Sequence, residues 1–167
     1  MDTKPIASLQ TTSILYDKDF YAWTQEQAKL LQAGGWESLD IVNLVEEIES
    51  LGKQVRQELR NRLGVLLGHL LKWQFQPNKR SKSWFFTLRE QRREVRYILD
   101  ENPSLKLYLP EALQKAYRAA IDLAARETSL TDEDFPAECP YSIEQVLDAT
   151  FFPGESIESG RNWVVEN

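Results

Sequence analysis

Apolar residues along this chain return at steps of three and four, the period of a helix with one buried face. Phe20, Trp23, Gln27, Leu30 and Leu31 keep that spacing between Asp17, a capping residue, and Gly34-Gly35, a left-handed stop signal, which predicts a helix over 17–33. Asp40 is placed to cap a second helix. Its apolar positions Ile41, Leu44, Ile48, Leu51, Val55, Leu59, Leu63, Leu66 and Leu70 hold one unbroken phase. This predicts a single long helix over about 40–75, roughly 50 Å in length, with Gly52 the one candidate break. Gly64 and Gly68 lie one turn apart inside it, each costing about 1 kcal/mol relative to Ala, and are expected to face a bulky neighbour such as Trp84 or Tyr117.

Pro77-Asn78 ends the long helix, and a third begins at Ser81 or Ser83 with a buried stripe of Trp84, Leu88, Gln91, Val95 and Ile98. Arg89, Arg92, Arg93 and Arg96 repeat at i, i+3, i+4 and i+7 and predict a basic stripe largely opposite the apolar one. Asn102-Pro103 stops this helix and opens a short helical turn through Leu109. Pro110 suits the start of a fourth helix over about 110–128, packing through Leu113, Tyr117, Ala120, Ile121 and Ala124. Ser142 to Gln145 has a capping-box pattern for a short helix ending near Ala149. Nothing alternates with period two long enough for a strand, and nothing repeats. The fold class expected is all-α, a bundle of four main helices with one long member and a short C-terminal helix. The expected organisation is a tail over 1–14, a single helical domain over 15–153 and a flexible tail over 154–167.

With 42% hydrophobic and 28% charged residues, the 167-residue chain has the composition of one globular domain. A lone cysteine, Cys139, forms no internal bridge, and neither a signal-peptide pattern nor an apolar run of membrane-spanning length is present, so a cytoplasmic protein is expected. The net charge of −6 is polarised. Residues 1–52 carry 3 basic and 9 acidic side chains, 53–96 carry 12 and 3, and 97–167 carry 5 and 14. The basic middle is either folded against the acidic ends or offered to an external anion such as a nucleic acid.

Four constellations bear on chemistry. The loop from Lys72 to Trp84 joins the cations Lys72, Lys79, Arg80 and Lys82, the hydroxyls of Ser81 and Ser83, and Trp73 and Trp84 at a helix start. A helix N-terminus favours anions, so this loop is a candidate binding site, and the alternative is a capped turn with solvated lysines. Glu46, Glu47, Glu49 and His69 form a weaker candidate metal set of the kind found in helical bundles. On a continuous helix Glu47 and His69 lie about 33 Å apart, so only a turn at Gly52 would unite them. The alternative pairs Glu49 with Lys53, places Glu46 or Glu47 against an arginine of a neighbouring helix, and makes His69 a hydrogen-bonded packing residue. The third constellation joins the arginine stripe to Arg56, Arg60 and Arg62. It has no helix-turn-helix character, which argues against sequence-specific DNA recognition. Cys139, beside Glu138, has acidic surroundings that make a poor nucleophile and reads as packing.

Tyr16-Asp-Lys-Asp-Phe-Tyr-Ala-Trp23, Leu39 through Gly52, His69-Leu-Leu-Lys-Trp73, Arg80-Ser-Lys-Ser-Trp84 and Cys139-Pro-Tyr141 together resemble the family called domain of unknown function twenty-nine, abundant in cyanobacteria and found in proteobacteria. The resemblance covers about Tyr16 to Pro153, with Val45 a minor aliphatic departure. It implies a small bacterial α-helical protein and no assigned activity, so no functional residue carries over. The leading expectation is a non-enzymatic interaction module binding an acidic partner, protein or nucleic acid, through the basic Trp-lined loop. The alternatives are a metal-dependent nuclease or phosphotransfer enzyme using Glu46, Glu47 and His69, and a homo-oligomer whose charges pair between subunits. No cofactor and no membrane are expected.

Overall fold

A computed structural model describes residues 14–154, so the expected tails lie almost wholly outside the described residues. The described residues contain helices and no strand, in the order α1 (Phe20–Ala33), α2 (Ile41–Phe75), α3 (Lys82–Glu101), α4 (Leu109–Arg126) and α5 (Ile143–Leu147). Short 3-10 turns at Trp36–Ser38, Pro77–Lys79, Pro103–Tyr108 and Asp132–Asp134 join them. The fold is all-α with one long helix, as the periodicity requires. The contacts divide the chain into two compact units at Lys53, a boundary that falls inside α2.

In the first unit, α1 does not begin at Asp17. Residues 14–18 are helical, Asp19 breaks the run at φ −148°, and its carboxylate accepts from the Ala22 N–H at 3.0 Å as the cap of α1. Gly34 closes α1 at φ +71°, the left-handed geometry its missing Cβ permits. Asp40 sits at the entry to α2 and organises a buried set. Its carboxylate accepts from the Trp23 indole N–H (3.2 Å), the Asn43 side-chain amide (2.7 Å) and the Asn43 N–H (3.4 Å), while its own N–H donates to Gln27 Oε1 (2.8 Å).

The apolar phase of α2 is helical throughout, yet its first part does not enter a core. Ile41, Ile48 and Leu51 are 55%, 66% and 61% exposed, and Val42 and Val45 are exposed as well. Burial starts at Leu59, from which Leu63, Leu66, Leu67, Leu70 and Leu71 are wholly enclosed. Periodicity specifies which face is apolar, whereas burial needs a second element against that face.

In the second unit those leucines pack with Leu88, Val95 and Leu99 of α3 and with Ala112, Ala116, Ala120 and Ala124 of α4. The alanine row explains the two glycines of α2, and it corrects the expected aromatic neighbour. A Cβ at Gly64 would meet the Ala116 carbonyl and Ala119, and one at Gly68 would meet Leu123 and the Ala120 carbonyl. Backbone faces backbone here. The C-terminal segment then packs on α2 and α3, with Phe152 stacked on Phe85 at 5.5 Å and Tyr141 donating to Gln74 Oε1 at 2.7 Å. The capping box at Ser142 and Gln145 starts α5 as expected.

Candidate functional site

The loop between α2 and α3 sorts its candidate residues by direction. Lys72 is 2% exposed and donates to Glu127 Oε2 at 2.6 Å, with its ammonium 4.4 Å from the Trp84 ring centre. It is therefore an interior ion pair and not a surface cation. The Lys72 hydrogen bond holds the Glu127 carboxyl below its usual range. Trp73 is buried, and Arg80 turns back over its ring, donating from Nε to the Trp73 carbonyl at 2.9 Å. Ser81 accepts from the Trp84 N–H at 3.3 Å and is the N-cap of α3. That leaves Lys79, Lys82 and Ser83 exposed, with Trp84 half-buried beside them.

The arginines of α3 divide in the same way, and here the expected stripe is corrected. Arg92 is 2% exposed, and its Nε donates to the Val146 carbonyl (3.0 Å) and its Nη2 to the Phe151 carbonyl (2.7 Å). The spacing held the signal: Leu88, Arg92, Val95 and Leu99 are separated by 4, 3 and 4, which puts Arg92 on the buried stripe. Trp84 and Ile98, expected on that stripe, are only partly buried at its edge. Arg96 donates to the Leu147 carbonyl at 2.5 Å. Arg93 pairs with Glu94 at 3.2 Å, and Arg89 lies 5.8 Å from the centres of Phe85 and Phe86. On α2, Arg60 donates to the Tyr108 hydroxyl at 2.6 Å, Arg56 covers the Tyr108 ring and Arg62 pairs with Glu58.

An open cleft of about 590 Å³ lies along this helix, lined by Phe86, Arg89, Glu90, Arg92, Arg93, Arg96 and Ala149. Arg92 borders it, and its Nη1 is buried and makes no hydrogen bond with the described residues. Burial pushes the Arg92 guanidinium down to about 10, with the Asp148 carboxylate opposing the fall and Arg96 adding to it, so it stays cationic at neutral pH.

Among the described residues no group of three or more His, Cys, Asp or Glu side chains is arranged to hold a metal ion. The helix runs unbroken through Gly52, and Glu49 reaches Lys53 at 3.7 Å. Glu47 accepts from the Tyr16 hydroxyl at 2.5 Å in place of the arginine expected for it, and this bond raises the Tyr16 hydroxyl to about 12. His69 Nδ1 lies 2.9 Å from the Val65 carbonyl, and burial holds the imidazole below its ordinary value. Cys139 borders a second cleft of about 420 Å³ with Tyr117 and Tyr141. Burial raises its thiol, which donates to the Tyr141 carbonyl at 3.5 Å, a setting that suppresses nucleophilicity. No helix of the described residues is long and apolar enough to cross a membrane.

No curated protein and no solved structure matches the chain. The family model described as "Domain of unknown function DUF29" matches residues 15–152, which takes in every helix from α1 to α5 and the residues that line the arginine cleft. The chain belongs to that family.

Proposed function

We propose that the protein is a non-enzymatic helical module that binds an acidic partner through a basic row running from Lys79 and Lys82 along α3 to Arg89, Arg93 and Arg96. The observation that carries this is the register of the exposed cations. Residues 82, 89, 93 and 96 return to one face of α3 over about 21 Å, and Lys79 and Lys82 make no ion pair with the described residues. Ser83 and Trp84 border the row. Lys72 and Trp73 are buried, Arg80 is bonded to the Trp73 carbonyl and Ser81 caps α3. The partner is a short acidic segment of another protein, because a chain of net charge −6 repels an extended polyanion while a local row still attracts a short one.

Fluorescence anisotropy with a labelled glutamate-rich peptide tests this at two salt concentrations. Binding that weakens with salt and falls about tenfold in the double variant Lys82→Glu, Arg89→Glu is expected. Lys82→Glu puts a carboxylate in the first turn of α3, where the helix dipole favours it, so the fold is retained. Absence of saturable binding, or indifference to the charge reversal, overturns the proposal, and tighter binding of single-stranded RNA overturns the choice of a protein partner.

The exposed apolar row on the first unit favours a second reading, self-association. A two-helix unit whose apolar face stays exposed among the described residues would find the complementary face on a second copy, which makes a four-helix bundle. An association of this kind persists at high salt, unlike one held by charges. Sedimentation with Ile48→Glu decides it: a dimer that persists in salt and dissociates in the variant supports the reading, and a monomer at high concentration refutes it.

A further inference from the structure

We propose that the cleft along α3 is a binding site for a phosphate monoester carried on a flat aromatic body, a ligand of the nucleoside monophosphate class. Nothing in the family description assigns such a site, and the inference stands without the acidic-partner reading. Four arginines and one glutamate line the cleft, so it holds an excess of positive charge.

The strongest indication is Arg92. A guanidinium this deeply buried ordinarily meets a carboxylate, because neutral acceptors do not cancel the charge taken out of water. Arg92 meets two main-chain carbonyls, and no ion pair with the described residues accompanies them. The acidic influence on it is Asp148, whose Oδ1 accepts from the Thr150 N–H and hydroxyl, both at 2.8 Å, and which makes no ion pair with Arg92. The remaining Nη1 is buried without an acceptor in a residue that borders the cleft. A buried donor left unsatisfied is costly, and an anion seated against Arg92 would remove that cost once the side chain shifts enough to uncover Nη1.

Arg89 and Arg93 are exposed beside it and can close on the same anion, and planar guanidinium groups match phosphate oxygens in pairs. Phosphate is preferred over a single carboxylate because a dianion with three acceptor oxygens uses several such donors at once. The aromatic body follows from Phe86, which is exposed on the cleft wall with the Arg89 guanidinium beside it. An exposed ring of this kind stacks a base as readily as another side chain does. The volume is of the size that takes a small organic ligand and exceeds what a lone phosphate fills.

Isothermal titration of the full chain with adenosine monophosphate, inorganic phosphate and adenosine tests the proposal. The monophosphate is expected to bind saturably, inorganic phosphate more weakly and adenosine without measurable heat. Arg89→Ala and Arg93→Ala should each reduce monophosphate affinity about tenfold, and Phe86→Ala should bring it down to that of inorganic phosphate. Arg89 and Arg93 are exposed, so these variants fold, whereas Arg92→Ala removes two interior hydrogen bonds and tests folding instead. Absence of saturable monophosphate binding, or an affinity unchanged when Arg89 and Arg93 are both replaced, overturns the site. Equal affinity for the monophosphate and inorganic phosphate overturns the aromatic component.

Discussion

Gly64 and Gly68 sit one turn apart on α2 and face the same neighbour, yet a methyl group added at each should act in opposite directions. At Gly64 the new Cβ would lie 3.6 Å from both the Ala116 carbonyl oxygen and the Ala119 Cβ, which is ordinary contact. Gly64→Ala therefore recovers the helix propensity that glycine forfeits, about 0.8–1.0 kcal/mol. At Gly68 the same methyl would come 2.8 Å from Leu123 Cδ2, 3.3 Å from Leu123 Cβ and 3.2 Å from the Ala120 carbonyl oxygen. Leu123 can rotate its outer methyl away, at about 0.5–1.5 kcal/mol for an unfavourable rotamer. The carbonyl and the Cβ move only if α4 moves, and overpacking of this kind costs about 1–3 kcal/mol. Gly68→Ala should then be about 1–3 kcal/mol less stable than Gly64→Ala. Urea unfolding followed by far-ultraviolet circular dichroism measures the difference directly, since both sites belong to the second unit. Gly52→Ala, with nothing within 4 Å of its new methyl, reports the propensity gain alone, read on the first unit to which Gly52 belongs. A Gly68→Ala protein as stable as Gly64→Ala would refute the close approach of α2 and α4.

Other perturbations follow from the same contacts. Ser81→Ala removes the N-cap of α3 and should cost about 1 kcal/mol in thermal unfolding, where a serine serving only a ligand would cost nothing. Lys72 and Glu127 should respond unequally: Glu127→Ala strands a buried ammonium and costs about 3 kcal/mol, whereas Lys72→Met leaves a carboxylate that water reaches and costs less than about 1.5 kcal/mol. The Glu127 carboxyl is held below its ordinary 4.5, so its contribution is present above that pH and is lost as pH falls through the lower folded-state value. Unfolding midpoints measured across that interval should therefore decline in the native chain and be flatter in Glu127→Ala.

Much of the architecture was legible because helices announce themselves locally. The 3.6-residue period, the caps at Asp40, Ser81 and Ser142, and the stop at Gly34 depend on neighbours in sequence, and each stands where it was read. Direction was harder. Ile48 and Leu66 carry the same phase on one helix, and only the second has a core to enter, because what faces a helix is decided by distant residues. The loop cations divide for a related reason: Lys72 looks like its neighbours in composition, but Glu127, 55 residues away, draws it inside, while Lys79 and Lys82 stay exposed. For Arg92, residue type and register point in opposite directions, and register decides. Its place on the Leu88–Val95–Leu99 stripe was visible, whereas the carbonyls of Val146 and Phe151 that receive it were not.

The polarised charge of the chain can now be followed to its destinations. Lys72 meets an acidic side chain of the C-terminal third, but Arg92 and Arg96 of the same basic block end on main-chain carbonyls of that segment. A carbonyl satisfies a donor without cancelling its charge, so these contacts anchor the C-terminal segment and leave the field of α3 positive. An anion that binds only the folded cleft must then stabilise the protein by mass action, about 2.7 kcal/mol at a hundredfold excess over its dissociation constant. Phosphate also stabilises proteins generally, by exclusion from their surfaces. The two effects separate in one comparison, in which phosphate monoester raises the unfolding midpoint of the native chain more than that of Arg89→Ala, Arg93→Ala at equal ionic strength. Equal increments in the two proteins would mean that the positive field of α3 is an anchor for the C-terminal segment and nothing more.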